Sequence, residues 1–442
     1  MVPNWKFSGL LPLSYTPFDA VTTVIGLCDV NSFYASCEQI FYPLHRNKPI
    51  VVASNNDGCV VARSPEAKAM GIKMGQPIFQ IQHLKSKGLI VRSSNYGLYA
   101  DLSSRFIQTL NALCPAVMPY SIDEAFVDLS GMSKLIPLDE FGHNIKDTVA
   151  QWTGLPICVG ISTTPTLAKL ANHGAKKFAK TKGIVDLTSP DRQRRLLNIT
   201  PVGDIWGVGS KLSARLNSLG IHTGLELAMA DPSWIRTYFS IVLERTVKEL
   251  NGIQCIEVEE VAPTKQQIMC SKSFGADIQK IEDMNVAVSQ YATRAAEKLR
   301  IEKREAGHLT VFVSTSRFRG DQYSNGLSTK LHPTSDTRTI VQAALALTKT
   351  MWRQGYNYNK AGVMLGDFKV PGVIQEDFFD VAGDSEKSER LMQTMDKINQ
   401  VLGKESVMSG RQAQSTTHWE MKRGNLSPSY TTQWTDIPKA KC

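Results

Sequence analysis

The chain of 442 residues is 42% apolar, so it can bury several cores and falls outside the disordered and fibrous classes. Lys and Arg (50) outnumber Asp and Glu (41), and the net charge of +9 favours a polyanionic partner without distinguishing nucleic acid from a membrane surface or heparin. Eight scattered cysteines with no C-x-x-C pair exclude a zinc module or a disulfide framework, and no apolar run approaches the roughly 18 residues that span a bilayer.

Residues 1–23 hold one Lys and scattered prolines and lack the apolar centre of a signal peptide, which places the protein in the cytoplasm. Val24 to Val30 reads as a buried strand that delivers Asp29 at its end, and Phe33 to Phe41 as a short helix. Two β-rich runs, Pro49 to Ser54 and Gly58 to Arg63, flank the turn signal Asn55-Asn56-Asp57-Gly58. A helix from Pro65 to Met70 follows, then a long helical pattern from Tyr96 to Leu113 that stops before Pro115.

Val117 to Tyr120 and Ala125 to Leu129 read as strands around Ser121-Ile122-Asp123-Glu124. Beyond them lie a helix (Leu138 to Trp152), a strand (Pro156 to Ser162) and a helix (Thr164 to Phe178) with a small-residue face at Ala168, Ala171 and Ala175. From Ser189 to Cys255 short helices broken by glycines predict a small helical domain, and Val261 to Thr264 a linker. The next segments predict β-α-β-β-α-β: Gln267 to Phe274, Ile281 to Lys303, Leu309 to Thr315, Leu327 to Leu331, Thr337 to Trp352 and Lys360 to Asp367. That order is the ferredoxin-like split βαβ arrangement. The last 70 or so residues show no clear period and predict an extended tail.

Asp29, Asp123 and Glu124 are the acidic candidates, because phosphoryl transfer on two divalent ions about 3.5–4 Å apart needs carboxylates to converge. Adjacent strand residues point to opposite faces, so Asp123 and Glu124 can share a site only if the backbone bends or bulges there. On spacing alone the commoner outcome is that Asp29 caps a helix and Asp123-Glu124 is a solvated turn.

The motifs Cys28-Asp29-Val30-Asn31-Ser32-Phe33-Tyr34-Ala35-Ser36-Cys37-Glu38 and Tyr120-Ser121-Ile122-Asp123-Glu124-Ala125-Phe126 closely resemble the two metal motifs of Y-family DNA polymerases. Ser54 to Cys59, Ser94-Asn95-Tyr96, Ala361 to Phe368 and Leu426-Ser427-Pro428 extend the resemblance, in order, to the UmuC-like branch, the catalytic subunits of bacterial SOS mutagenesis polymerases. The resemblance implies an α+β multidomain right-hand polymerase. Its parts would be a palm (24–32 and 93–185), fingers (33–92), a helix-hairpin-helix thumb (186–255), a linker (256–264), a ferredoxin-like little finger (265–370) and a tail (371–442). Residues 1–23 have no counterpart in it, and Val24 falls where UmuC-like chains begin, which implies that translation starts there.

The activity implied is error-prone translesion DNA synthesis in the SOS response, with two Mg²⁺ ions and without proofreading. Asp29 and Asp123 would bind both ions with help from the Val30 carbonyl, and Glu124 the ion that activates the primer 3′-hydroxyl. Tyr34, beside Phe33, matches the steric gate that excludes a ribose 2′-hydroxyl, and Lys68 and Lys176 match the triphosphate-binding cations. Pro65 and Lys68 depart from the aromatic residue and Arg common in the family, and Arg63 could supply the missing fork. Gly207, Gly209 and Lys211 in Ile205-Trp206-Gly207-Val208-Gly209-Ser210-Lys211 resemble a DNA-gripping hairpin. Lys265, Lys272, Arg294, Lys298, Arg300, Lys303, Arg304 and Arg317 give the little finger a basic bias.

Gln375, Phe378 and Phe379 resemble a sliding-clamp peptide, with Phe378 standing where Leu is usual. The partners implied are primer-template DNA, a dNTP, a processed UmuD-like dimer, RecA and the sliding clamp, with no membrane. A metal-dependent nuclease would recruit further Asp or His ligands, and a noncatalytic damaged-DNA-binding scaffold would not need the acidic trio.

Overall fold

The computed structural model describes residues 23–256, 265–320, 322–371, 385–403, 406–408 and 418–437. In chain order, β1 (Ile25–Val30) and α1 (Phe33–Ile40) precede β2 (Ile50–Ala53), β3 (Val60–Arg63), α2 (Pro65–Ala69), α3 (Ile78–Ile81) and β4 (Ile90–Ser93). Then come α4 (Tyr96–Leu113), β5 (Ala116–Pro119), β6 (Glu124–Asp128), α5 (Leu138–Thr153), β7 (Ile157–Ser162), α6 (Pro165–Lys177) and β8 (Ile184–Asp186). Five helices follow: α7 (Pro190–Ile199), α8 (Ser210–Ser218), α9 (Gly224–Ala228), α10 (Pro232–Tyr238) and α11 (Ile241–Leu250). The last elements are β9 (Ile268–Ile278), α12 (Ile281–Ile301), β10 (Glu305–Thr315), β11 (Ser324–Thr334), α13 (Thr337–Met351), β12 (Tyr358–Lys369) and α14 (Ser385–Val401).

These elements form two compact units, each assembled from separated stretches of chain. The first takes residues 1–47, 95–261 and 428–442, and the second 48–94 and 262–427. In the first unit a five-stranded sheet runs β5-β6-β1-β7-β8. β1 is central, antiparallel to β6 and β7, and every one of its six residues is buried, which is why it reads as an apolar run interrupted only by Asp29.

Helix α6 lies on β7 at Gly160, where a Cβ would come within 2.2 Å of the Asn172 backbone nitrogen and 2.5 Å of the Ala168 carbonyl oxygen. The small face of α6 is thus matched by a missing side chain on the strand. Buried Asn172 fixes the docking, its Nδ2 donating to the carbonyls of Leu27 (3.3 Å) and Cys158 (3.0 Å). Leu167, Leu170 and Ala171 of α6 continue into the core of the α7–α11 bundle with Leu196, Val202, Leu216 and Leu243.

Glu249 of α11 bonds that bundle to the start of α6. Its Oε2 accepts from the Thr166 amide (2.9 Å) and hydroxyl (2.5 Å), and its Oε1 from the Cys255 (3.1 Å) and Ile256 (2.8 Å) amides.

In the second unit the order β9-α12-β10-β11-α13-β12 and the sheet β11-β10-β12-β9 give the β-α-β-β-α-β arrangement expected from the sequence. All three strand pairs are antiparallel, with α12 and α13 closing the core. A separate three-stranded sheet, β3-β2-β4, carries α2 and α3.

The tail departs from its expected extended form. Leu391, Met392 and Met395 make a short apolar stripe in an otherwise polar stretch, and α14 forms there with Met392 buried. Arg300 pins α14 through both oxygens of Asp396 (2.6 and 2.7 Å). Residues 418–425 then bind the two sheets of this unit together. Asn56 Nδ2 donates to the Ser273 and Phe274 carbonyls of β9 (3.1 and 3.0 Å), while its Oδ1 accepts from the Lys422 amide (3.0 Å).

Asp57 accepts from the Gly424 amide (2.9 Å), and Ser93 of β4 exchanges bonds with Asn425. Trp419 is buried against Phe274, and its carbonyl accepts from the Gly275 amide (2.9 Å). A Cβ on Gly275 would lie 2.0 Å from the Glu420 carbonyl oxygen, so only glycine admits this segment.

Candidate active site

The acidic candidates sit in the middle of the first unit's sheet. Antiparallel pairing of β1 with β6 sets Asp29 opposite Glu124, so two carboxylates share one edge of the ladder. Asp123 lies outside the strand, in a bend over residues 121–123 where the Tyr120 and Ser121 amides both donate to the Glu124 carbonyl (2.9 and 3.0 Å). That bend meets the condition set by strand alternation. The Asp123 carbonyl accepts from the Val30 amide (2.9 Å), tying the two motifs together at the backbone.

Two cations from α6 meet the carboxylates. Lys176 Nζ stands 2.5 Å from Asp29 Oδ1, and Lys169 Nζ 2.7 Å from Glu124 Oε2. Burial, aided by a hydrogen bond to Glu124, raises the Asp29 carboxyl above the ordinary carboxylate range in spite of Lys176. Burial also opposes charge on Glu124, but the hydrogen bonds from Asp29 and Lys169 outweigh it and its pKa falls. Of the two, Asp29 is therefore the one pushed toward the neutral form and Glu124 the one held toward its charged form.

Hard oxygen donors pressed together at one end of the ladder, each met by an ammonium group, suit divalent cations in general. Among the described residues no group of three or more His, Cys, Asp or Glu side chains converges as ligands. Asp29 and Glu124 are brought together. The Asp123 carboxylate instead accepts from Ser121 Oγ (2.6 Å).

The aromatic candidates form a stack beside this edge. The turn from β1 into α1 passes through Ser32 in the left-handed region (φ 50°), uncommon for a residue with a side chain, and is held by Ser36 Oγ on the Asn31 carbonyl (2.6 Å). Tyr34 then stacks on Tyr99 of α4 (4.3 Å between centroids, 16° between planes). Tyr96 meets Tyr34 edge-on (6.3 Å), and Phe33 meets Tyr99 at 6.4 Å. Tyr99 is fixed by its hydroxyl, which donates to buried Glu38 of α1 (2.8 Å).

Gly207 adopts φ +87°, as a tight hairpin requires, and Gly209 is the N-cap of α8 with exposed Lys211 in its first turn. Trp206 of this hairpin stands edge-on to Tyr120 (5.8 Å), and Lys169 lies over both rings (4.4 and 5.5 Å). Lys68 is exposed on α2 in the other unit, and nearby Arg63 donates to the Ile72 carbonyl. Of the basic residues singled out in the split βαβ region, Lys265 pairs with Glu302, Arg294 with Glu297 and Arg300 with Asp396. Gln375, Phe378 and Phe379 lie outside the described residues.

Sequence reasoning passed over Lys169, Ser121, Tyr96 and Tyr99. Lys169 was within reach, because it precedes Lys176 by seven positions and shares its helical face. Tyr96 stands in the Ser94-Asn95-Tyr96 motif with no role read from it, and Tyr99 gave no such signal.

Residues 28–173 match the impB/mucB/samB family, 265–378 its C-terminal domain and 190–221 its helix-hairpin-helix motif, while 389–440 match a domain of unknown function. Protein ImpB of Salmonella typhimurium is 50% identical over 95% of this chain and all of its own length. The chain belongs to this family. It is a UmuC-like Y-family DNA polymerase: Protein UmuC of Salmonella typhimurium strain LT2 is 49% identical, again over 95% of this chain and all of its own.

Among solved structures, a Y-family DNA polymerase chimera of Dbh and Dpo4 superposes with a TM-score of 0.64 at 21% identity, covering 78% of this chain and 99% of its own. The fold is that of the Y-family polymerases. No helix among the described residues is long and apolar enough to cross a membrane.

Proposed function

We propose that this UmuC-like polymerase carries out error-prone, template-directed synthesis past DNA lesions in the bacterial SOS response, by two-metal nucleotidyl transfer at Asp29, Asp123 and Glu124. The observation that carries this reading is the register pairing of Asp29 with Glu124, each met by a lysine of α6. Asp29, Asp123, Glu124 and the Val30 carbonyl would hold two Mg²⁺ ions, which when bound would neutralise phosphate charge and make the primer 3′-hydroxyl a better nucleophile. Phosphoryl transfer asks the protein chiefly for positioning and electrostatics.

In this reading Lys176 and Lys68 neutralise the triphosphate, and Lys169 holds Glu124 in place. Tyr34, kept upright by Tyr99 and flanked by Phe33, bars a 2′-hydroxyl. Gly207, Gly209 and Lys211 offer amides and a cation to the DNA backbone, which grips without reading sequence. The division is palm (24–32, 93–185), fingers (33–92), thumb (186–255) and little finger (265–370). The dNTP and primer-template DNA are the substrates, and the protein acts in the cytoplasm with a processed UmuD-like dimer, RecA and the sliding clamp, the last through Gln375, Phe378 and Phe379. No segment is assigned to a proofreading exonuclease.

Primer extension past an abasic site, with the clamp, RecA and a UmuD-like partner present, tests the reading. Wild type should extend only with Mg²⁺ and the Asp123→Ala protein should not; extension by both would overturn it.

A further inference from the structure

Within the first unit, a short stretch of the tail packs behind the two helices that carry the tyrosine stack. The Pro428 carbonyl accepts from Asn95 Nδ2 (3.2 Å). Asn95 is also the N-cap of α4, its Oδ1 accepting from the Leu98 amide (3.3 Å), so one side chain both starts that helix and holds the tail. Tyr430, 6% exposed, lies face to face with Phe41, the C-cap of α1 (4.6 Å, 16°), and edge-on to Tyr42 (5.9 Å).

The stretch is also bonded to itself. The Ser429 amide donates to Asp436 Oδ2 (2.8 Å), and the Thr432 and Gln433 amides donate to the Ser429 carbonyl (3.1 and 3.0 Å).

Helix α1 has eight residues. A helix of two turns is not stable alone in water, so packing decides where it sits. Tyr34 rides on its first turn; Phe41 and Tyr42, where the tail presses, end it. The opposing ring, Tyr99, rides on the first turn of α4, just past Asn95. Both halves of the stack are thus braced by one peptide.

We propose that residues 428–436, inside the stretch matching a domain of unknown function, are a positioning element for the sugar gate, with Tyr430 and the Pro428 carbonyl setting where Tyr34 and Tyr99 meet. The proposal rests on the reading of Tyr34 as that gate.

Single-nucleotide insertion by the full-length protein, comparing dATP with ATP opposite template T, separates the two. Tyr34→Ala should lower the ratio of kcat/KM for dATP over ATP. Tyr430→Ala should lower the same ratio by roughly tenfold, mainly through KM for dATP, since small misplacements of positioning groups have effects of that order or larger. Tyr430→Phe should keep the wild-type ratio, and Tyr430→Leu, which preserves bulk without a ring, carries the test if the Ala protein does not fold. A normal ratio in both Tyr430→Ala and Tyr430→Leu, with a lowered one in Tyr34→Ala, overturns the positioning role. So does an equal loss of activity toward both nucleotides. An unchanged ratio in Tyr34→Ala overturns the gate reading itself.

Discussion

Lys169 and Lys176 stand seven residues apart on one face of α6, and each holds one of the two facing carboxylates, Glu124 and Asp29. The helix therefore acts as a ruler laid against the β1–β6 ladder. Its two cations differ in setting: Lys169 is enclosed by Tyr120 and Trp206, whereas Lys176 is 40% exposed and open to an incoming anion.

That difference predicts different kinetics for the two lysines. Lys176→Ala should raise KM for the dNTP by roughly ten- to a hundredfold, the worth of one charge-assisted hydrogen bond. Lys169→Met should lower kcat and leave KM nearly unchanged, because it removes support from Glu124. Steady-state kinetics over a dNTP titration checks both, and a rise in KM alone for Lys169→Met would contradict its assignment.

Gly160 is where α6 is seated, and any side chain there strikes helix backbone. Gly160→Ala should destabilise the first unit by about 1–3 kcal/mol through overpacking. It should also displace both lysines, so melting temperature and primer extension should fall together. A stable variant with normal activity would show that α6 tolerates the shift.

Glu249 is fully buried and serves four donors. Glu249→Ala strands the buried Thr166 amide away from water, at a cost of about 1–3 kcal/mol where no replacement acceptor reaches it, and releases the half-buried Cys255 and Ile256 amides. Hydrogen exchange should reveal the loss as faster exchange at the start of α6 and along α11, with β9–β12 unaffected.

Asp336 caps α13 and pairs with Arg338, and these bonds with Ser388 overcome the cost of burial to hold its carboxyl down at about 2. Because the folded pKa lies below the unfolded value of about 3.9, the stabilisation is complete above that value and is lost as pH falls toward 2. Asp336→Ala should lower the melting temperature most at pH 5 and above. The gap to wild type should narrow as the pH is taken from 5 to 3, as followed by circular dichroism.

Much of this was legible before the coordinates. Period-2 and period-3.6 patterns located β1, α4, α6 and the six elements of the split βαβ unit to within a few residues, because those segments bury one face or both in a core. The short strands β4 and β8 escaped notice, since four and three residues are too few to establish a period. So did α14, whose apolar stripe is only a few side chains long. Within the candidate site, the motifs singled out Asp29, Glu124 and Lys176, which the fold brings side by side. The stacking of Tyr99 on Tyr34 joins residues 65 positions apart, and only the packing of α1 on α4 brings them together.

The segment 418–437 also bears on the order of events at the ribosome. Trp419 completes a core begun at Phe274, and Tyr430 one begun at Phe41. An emerging chain must hold β1 in waiting until β6 and β7 arrive, and neither unit is sealed until these late aromatic residues have been made. Polypeptides released before residue 418 would carry an open edge in both units, fit for proteolysis before they could copy any template.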